Sequence, residues 1–261
     1  MSRASDAGIA VRNLSKGYGE GPVLDGLSFD LPSGETLSVI GPSGCGKSTL
    51  LRSITGLHPL SSGTVLLDGA DLCSLTPIQT AQRVAYLPQS RNVPAISAGR
   101  LALHGRFAHL SYPRRYRRED DEITRRALEW TGAADFASRN MQELSGGQRQ
   151  RVYLAMALAQ DTRTILMDEP TTYLDIGSRF EVMSLARRLA GMGKAVVLVL
   201  HDLELVLRYA DRVVVMDGGR VKAEGPPDEV YPCLRDCFGV EVCRIPSPEG
   251  VFYSFSPRHD G

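Results

Sequence analysis

The sequence has no hydrophobic run long enough to cross a membrane. Its longest uninterrupted aliphatic stretch is Ala195 to Leu200, whereas a spanning helix needs about 20 apolar residues. The N-terminus from Met1 to Gly8 is short and polar, and it lacks the apolar core of a secretory signal. These two absences favour a cytosolic protein that does not enter the bilayer.

The sequence also lacks a charge surplus of either sign. Thirty Lys and Arg residues balance thirty Asp and Glu residues, which gives a formal net charge of zero. Proteins that bind the phosphate backbone of nucleic acids usually carry a basic surplus. We therefore expect no nucleic-acid partner.

Closely paired cysteines are missing as well. The five cysteines are Cys45, Cys73, Cys233, Cys237 and Cys243, and none forms a Cys-x-x-Cys pair. The last three have no histidine nearby, so their spacing matches no closed zinc site. Reduced thiols, as expected in the cytosol, are the simpler interpretation.

The apolar pattern of the 261 residues predicts one α/β domain with an attached lobe. Alternating residues with glycine-rich turns predict an antiparallel sheet near the start, over about 9–31. Short, nearly all-aliphatic strands separated by helices follow, as in a parallel sheet covered on both faces. We predict a polar tail over 1–8, a main domain over 9–230 with a helical lobe at about 94–147, and a small C-terminal unit over 231–261.

A glycine-rich segment lies between a predicted strand (36–40) and a predicted helix (47–57). It reads Gly41-Pro42-Ser43-Gly44-Cys45-Gly46-Lys47-Ser48, followed by Thr49. The glycines allow backbone N–H groups to converge on phosphate oxygens at the helix N-terminus. Lys47 is predicted to reach the β- and γ-phosphates of ATP, and the Ser48 hydroxyl to bind Mg²⁺. A purely structural glycine turn would not need the Lys and the Ser.

Other polar residues follow apolar strands. Asp168 and Glu169 end the aliphatic strand that begins at Thr164; we predict that Asp168 faces Mg²⁺ and that Glu169 acts as a general base toward water. His201 ends another strand, where parallel sheets place ligands, and is predicted to bind the γ-phosphate. Gln89 is a weaker candidate that rests on its position after a strand. An exposed acidic strand end and a structural histidine are the alternatives.

The pentapeptide Leu144-Ser145-Gly146-Gly147-Gln148 opens a predicted helix. Its free N–H groups suit a phosphate, yet the glycine-rich segment 41–49, which matches the P-loop pattern Gly-x4-Gly-Lys-Ser, already surrounds one ATP. The pentapeptide is therefore predicted to close over the ATP of a second copy. In isolation, an ordinary Ser N-cap would explain it equally well.

The order of these motifs resembles that of the ABC ATPase family over about residues 9–230. The resemblance implies a P-loop NTPase with a RecA-like core, an antiparallel β subdomain and an inserted helical subdomain that receives a membrane permease. It also implies that Tyr18 stacks on adenine, that Gln89 is the Q-loop residue and a Mg²⁺ contact, and that Leu174-Asp175 forms the D-loop. His201 would be the switch histidine, and Ser145 to Gln148 the signature. The implied location is the cytoplasmic face of the cell membrane.

A narrower resemblance is to the ATPases of iron-siderophore, haem and cobalamin importers. It rests on Gly105 to His109, on Thr172-Tyr173 before the D-loop, and on His201-Asp202-Leu203. The resemblance to this group implies that the partners are permease subunits and, indirectly, a substrate-binding protein. Ala108 stands where proline is frequent, and the cysteine-bearing C-terminus is unusual. A soluble ABC ATPase acting on DNA, ribosomes or Fe–S assembly is the alternative, and a small-molecule kinase would leave the pentapeptide and His201 unexplained.

The basic run Arg114-Arg115-Tyr116-Arg117-Arg118 is followed by the acidic run Glu119 to Glu122. The basic run suits lipid headgroups or a permease. Because the two runs nearly cancel in charge, a solvated loop before a helix is the interpretation that we favour.

Overall fold

The computed structural model describes residues 8–19, 21–89, 92–172, 174–248 and 250–258. Residues 1–7 of the predicted tail and Tyr173, which precedes the predicted D-loop, lie outside this set. Among the described residues, no helix combines the length and the apolar character needed to span a membrane.

The strands of the described residues form two sheets and a hairpin. In chain order they are β1 (Gly8–Gly17), β2 (Pro22–Pro32), β3 (Thr36–Ile40), β4 (Ser62–Leu67), β5 (Ala70–Asp71), β6 (Val84–Leu87), β7 (Thr164–Asp168), β8 (Ala195–Val199), β9 (Arg212–Asp217), β10 (Arg220–Gly225), β11 (Val240–Ser247) and β12 (Gly250–Pro257). One sheet has the order β2-β1-β4-β5 and is antiparallel. The other has the order β10-β9-β3-β8-β7-β6 and is parallel except for β10.

The parallel sheet is the centre of the molecule. Every residue of β3, β7 and β8 is buried, as expected when helices or another sheet cover both faces. Parallel strands present their carboxyl ends at one edge, where α/β sheets bind ligands. The ends of β3, β7 and β8 therefore bring Gly41, Asp168 and Leu200 to the same edge.

The helices lie around these sheets. They are α1 (Lys47–Ile54), α2 (Pro77–Ala81), α3 (Ala98–Leu103), α4 (Arg118–Trp130), α5 (Gly146–Ala159), α6 (Ile176–Gly191), α7 (Leu203–Tyr209) and α8 (Pro227–Phe238). α1 lies between the antiparallel sheet and one face of the parallel sheet, where Leu50, Leu51 and Ile54 are completely buried. Residues of α5, α6, α7 and α8 share the core on the other face.

The segment predicted to form the helical lobe contains α3, α4 and short 3₁₀ turns. A buried ion pair joins its parts: Arg106 Nε lies 2.9 Å from Asp120 Oδ1 at the start of α4, and both side chains are less than a tenth exposed. The Arg106 guanidinium also donates to the carbonyl of Ala159 at the end of α5, at 3.1 Å. Arg106 therefore joins the two parts of this segment to each other and to the end of α5.

The C-terminal residues form a helix and a hairpin, although the sequence there shows little periodicity. The predicted boundary between residues 230 and 231 falls inside α8. In this unit Asp228 accepts hydrogen bonds from Tyr253 Oη at 2.7 Å and from Arg244 Nε at 2.9 Å. Burial, together with the hydrogen bond to Asp228, raises the pKa of Tyr253 to about 12.

Candidate functional site

The glycine-rich loop folds around the side chain of Lys47. This side chain is almost fully buried, and its Nζ donates to the carbonyls of Gly41 at 2.8 Å and Pro42 at 3.0 Å. Gly46 adopts a left-handed conformation with φ of 103°. A Cβ at Gly46 would lie 2.6 Å from Leu24 Cδ2, so the loop needs glycine here for both its backbone angle and its close approach to β2.

A cavity of about 280 Å³ lies against this loop. It gathers residues from the loop and from the ends of several strands: Val23, Ser43, Gly44, Gly46, Lys47, Ser48, Thr49, Gln89, Glu169 and His201. Apart from Val23, all are residues that the sequence predicted for one ATP site. The N-terminus of α1 faces this cavity, so free N–H groups and Lys47 make it suitable for an anion.

Asp168 lies behind the loop and is only 1% exposed. Its Oδ1 is 3.2 Å from Ser48 Oγ, and its Oδ2 is 3.2 Å from Tyr86 Oη. Burial raises the pKa of Asp168, and the hydrogen bonds from Ser48 and Tyr86 oppose that rise. A carboxylate beside a hydroxyl is a set of hard oxygen donors that suits Mg²⁺, and a bound cation would favour the ionised carboxylate.

Glu169 is held at the mouth of the cavity by three polar neighbours. Its Oε1 is 2.6 Å from His201 Nε2, and its Oε2 accepts from Gln89 Nε2 at 2.7 Å and from Thr172 Oγ1 at 3.1 Å. The Glu169 backbone has a φ of 51°, a left-handed conformation that costs a residue with a Cβ about 1–3 kcal/mol. Strain of this kind is common where a side chain must be aimed at a ligand.

The turn at Glu169 separates the two adjacent carboxylates. Asp168 points inward to Ser48, whereas the Glu169 carboxylate, 13% exposed, meets His201. Gln89 lines the same cavity, but its amide donates to Glu169 rather than to Asp168. The two acids therefore occupy different environments, one suited to a metal and the other to a water molecule next to the phosphates.

The remaining predicted residues do not line this cavity. Ser145 caps α5: its Oγ accepts from the Gln148 backbone N–H at 3.3 Å, and Gln148 Oε1 accepts from the Ser145 N–H at 3.1 Å. Asp175 caps α6, and its hydrogen bond from the Ser178 backbone lowers its pKa. Tyr18 is 47% exposed and meets His58 edge-on.

The start of α5 lies close to the D-loop of the same chain. A Cβ on Gly147 would lie 3.6 Å from Leu174 Cδ2, and the Gln150 amide donates to the Pro170 carbonyl at 2.6 Å. The N-terminus of α5 therefore packs against this segment of its own chain and lies outside the cavity at the P-loop.

Two residues at the site were not predicted from the sequence to be functional. Tyr86 lies in the apolar strand Val84–Leu87, where an aromatic residue is expected to be core, and Thr172 was noted only as part of a resemblance. The Tyr86 hydroxyl contacts Asp168 at the end of β7, and the Thr172 hydroxyl contacts Glu169 just after it. Only the register of β6 against β7, with Tyr86 beside Leu166, would have pointed to Tyr86.

A glycine-rich loop around a buried lysine, with two carboxylates at the end of a strand in the same parallel sheet, defines a P-loop nucleoside triphosphatase. The ABC transporter family matches residues 24–172, more than half of the chain. The protein belongs to this family, whose ATP-binding subunits are ATPases. It binds and hydrolyses ATP.

Individual relatives agree with this assignment. A petrobactin import ATP-binding protein of Bacillus anthracis is 41% identical over 241 residues, which cover 91% of this chain and 88% of the relative. A hemin import ATP-binding protein of Rhodococcus jostii is 46% identical over 257 residues, which cover 97% of this chain and 85% of the relative. The narrower resemblance to importer ATPases of the siderophore and haem group is thereby confirmed.

Solved structures are similar over most of the chain. A metal-chelate type ABC transporter in an inward-facing conformation has a TM-score of 0.84 and 28% identity, covering 97% of this chain and 98% of that one. A dimeric ATP-binding cassette in a post-hydrolysis state with ADP and Pi has a TM-score of 0.74 and 29% identity. The match covers 84% of this chain and 98% of that one. The predicted P-loop NTPase fold is confirmed.

Proposed function

We propose that this protein energises the import of an iron-siderophore-type chelate (a ferric siderophore, haem or cobalamin) across the cytoplasmic membrane. Two of its relatives are named for petrobactin and hemin import, and a structurally similar transporter is of metal-chelate type. The observation that carries the enzymatic part of the proposal is the Glu169 carboxylate, held by His201 and Gln89 at the mouth of the P-loop cavity.

In the proposed mechanism, residues 41–49 bind the phosphates of ATP. Lys47 leaves its carbonyl partners to contact the β- and γ-phosphates. Ser48 and Asp168 hold Mg²⁺, which neutralises phosphate charge when bound. Glu169 accepts a proton from the water that attacks the γ-phosphorus, the bond between that phosphorus and the β–γ bridging oxygen breaks, and ADP leaves. His201 donates a hydrogen bond to the γ-phosphate. Tyr18 stacks on adenine.

The proposed active unit contains two copies of the chain. The N-terminus of α5 provides an anion site that the P-loop cavity of its own chain does not use. In a two-fold dimer, Ser145, Gly146, Gly147 and Gln148 of one copy close over the ATP bound at Lys47 of the other, and Asp175 lies at the same interface. One relative in structure is itself dimeric with ADP and Pi.

The proposed partners are two permease subunits and, through them, a substrate-binding protein outside the membrane. The ATPase would then lie at the cytoplasmic face as a peripheral subunit. This proposal predicts that the tagged protein co-purifies with a polytopic membrane protein and supports uptake of a radiolabelled ferric siderophore, haem or cobalamin in a reconstituted transporter. Co-purification with nucleic acid or an Fe–S scaffold, without a membrane subunit, would contradict it.

The Glu169→Gln variant tests the enzymatic part. Glutamine preserves the size of the side chain but is not a base, so turnover is expected to fall by about 10²- to 10⁴-fold. The variant should still bind ATP and accumulate a dimer, measured by size-exclusion chromatography with multi-angle light scattering. Glu204→Gln, at an exposed glutamate of α7, is the matched control. Turnover of Glu169→Gln equal to that of the control would rule out Glu169 as the base.

A further inference from the structure

Strand β6 and the residues just beyond it contact the adjacent acids Asp168 and Glu169. Tyr86 Oη lies 3.2 Å from Asp168 Oδ2, and Gln89, just beyond the strand, donates to Glu169 Oε2 at 2.7 Å. The parallel register of the two strands places Tyr86 beside Leu166, two residues before Asp168. The proposed function uses Glu169 as the base and Gln89 as one of the residues that hold it, but it leaves Tyr86 without a part.

The two oxygens of the Asp168 carboxylate have different partners. Ser48, on the P-loop helix, contacts Oδ1, and Tyr86, on the sheet, contacts Oδ2. A carboxylate that is 1% exposed has almost no access to bulk water, so its orientation depends on these protein donors. When the Ser48 hydroxyl turns toward a metal ion, Tyr86 is the donor that still fixes the carboxylate.

Arg52 adds a positive charge near this pair. It lies on α1 one turn after Ser48, and its charge acts on both the Tyr86 hydroxyl and the Asp168 carboxylate. The P-loop helix therefore reaches Asp168 in two ways: directly through Ser48, and through Arg52 and Tyr86. Donors behind a metal ligand commonly set its orientation and its affinity for the metal.

We propose that Tyr86 is a positioning residue that holds the Asp168 carboxylate in place for Mg²⁺, with Arg52 supporting the Tyr86 hydroxyl. The inference rests on the proposed Mg²⁺ site formed by Ser48 and Asp168. It differs from a packing role for Tyr86, because only the hydroxyl group, and not the ring, takes part.

The Tyr86→Phe variant removes this hydroxyl and keeps the ring. Loss of such a partner typically weakens metal affinity about 10- to 100-fold. We expect a rise of that size in the Mg²⁺ concentration for half-maximal ATP hydrolysis, with most of the lost rate recovered at saturating Mg²⁺. Mn²⁺ binding in the presence of a non-hydrolysable ATP analogue, followed by electron paramagnetic resonance, should weaken equally. Affinity for ATP in the presence of EDTA should stay unchanged, because the P-loop contacts are intact.

Tyr112→Phe is the control, since Tyr112 is 96% exposed. Equal metal dependence of Tyr86→Phe and Tyr112→Phe would overturn the proposal, as would a parallel loss of metal-free ATP affinity. If Tyr86→Phe does not fold, Arg52→Gln is tested in its place. A rise in the Mg²⁺ requirement that is smaller than the one expected for Tyr86→Phe, and that Arg52→Lys reverses, supports the proposal. No rise refutes it. Hydrolysis by the unaltered protein without any divalent metal would instead contradict the proposed Mg²⁺ site.

Discussion

The buried ion pair between Arg106 and Asp120 predicts a large loss of stability for Asp120→Asn. The Asp120 carboxylate accepts from Arg106 Nε and from the Arg117 backbone N–H, both at 2.9 Å. The two side chains of the pair are 8% and 9% exposed. Asparagine fills the same space but leaves the guanidinium charge buried without a counter-charge. Breaking a buried pair in this way costs about 3–5 kcal/mol.

Unfolding in urea measures this loss directly. Trp130 is the one tryptophan of the chain. It ends α4, and the centroid of its ring lies 4.3 Å from the Arg188 guanidinium carbon. Its fluorescence therefore reports on the helical segment. Asp121→Asn is the matched control: it removes the same charge from the next, exposed residue, and should change the free energy of unfolding by less than about 0.5 kcal/mol. Equal stability of the two variants would refute the importance of the pair.

The pH dependence gives a second check on the same pair. Burial favours a higher pKa for Asp120, but the Arg117 N–H and the Arg106 guanidinium together outweigh it and lower the pKa. A lowered pKa in the folded state stabilises the protein above the unfolded value of about 3.9, and this contribution is lost as the pH falls through the folded value. The stability difference between the unaltered protein and Asp120→Asn should therefore be full at pH 7 and shrink below about pH 4.

Two further substitutions test the nucleotide site. Gly46→Ala should abolish ATP binding in a fluorescent-nucleotide titration, because its Cβ would meet Leu24 Cδ2 at 2.6 Å and the Val23 carbonyl at 2.9 Å; near-normal affinity would show that the loop adjusts. His201→Ala should lower turnover about 10²- to 10³-fold, as loss of a transition-state donor does, while ATP affinity changes much less. A reduced affinity at unchanged turnover would instead mean that the contact of His201 with Glu169 serves binding.

The parts of the fold that follow simple periodicity were predictable. β3, β7 and β8 are short aliphatic runs, and each is entirely buried in the parallel sheet. The P-loop was predictable because its function demands particular residues at fixed spacing. Element ends were less accurate: the predicted helix 47–57 ends at Ile54, before Gly56 with its φ of 72°.

The C-terminal unit was not predictable as a helix and hairpin. Pro232 lies inside α8, where proline normally indicates a break. The contacts that stabilise the unit join residues distant in sequence, as when Asp228 binds Tyr253. No local pattern reveals such contacts.

Charge patterning predicted the exposed loop before α4 and the acids in its first turn, but not the buried partner of Asp120. The acidic run 119–122 nearly cancels the basic run before it, yet Asp120 points inward to Arg106. The sequence around Tyr86 likewise predicts a core aromatic residue. In the structure, the register of β6 against β7 brings its hydroxyl to Asp168. Side-chain direction at these positions depends on tertiary contacts, which the sequence does not display.

The central proposal is that each ATP site takes Lys47 from one copy and Ser145 from the other. Mixing purified Lys47→Ala and Ser145→Ala proteins tests it most directly, because each variant alone has two defective sites. A mixed dimer regains one intact site, so ATP hydrolysis should recover to about one quarter of the normal rate if subunits mix at random and sites act independently. If one chain alone forms the complete site, the mixture will stay as inactive as its two components.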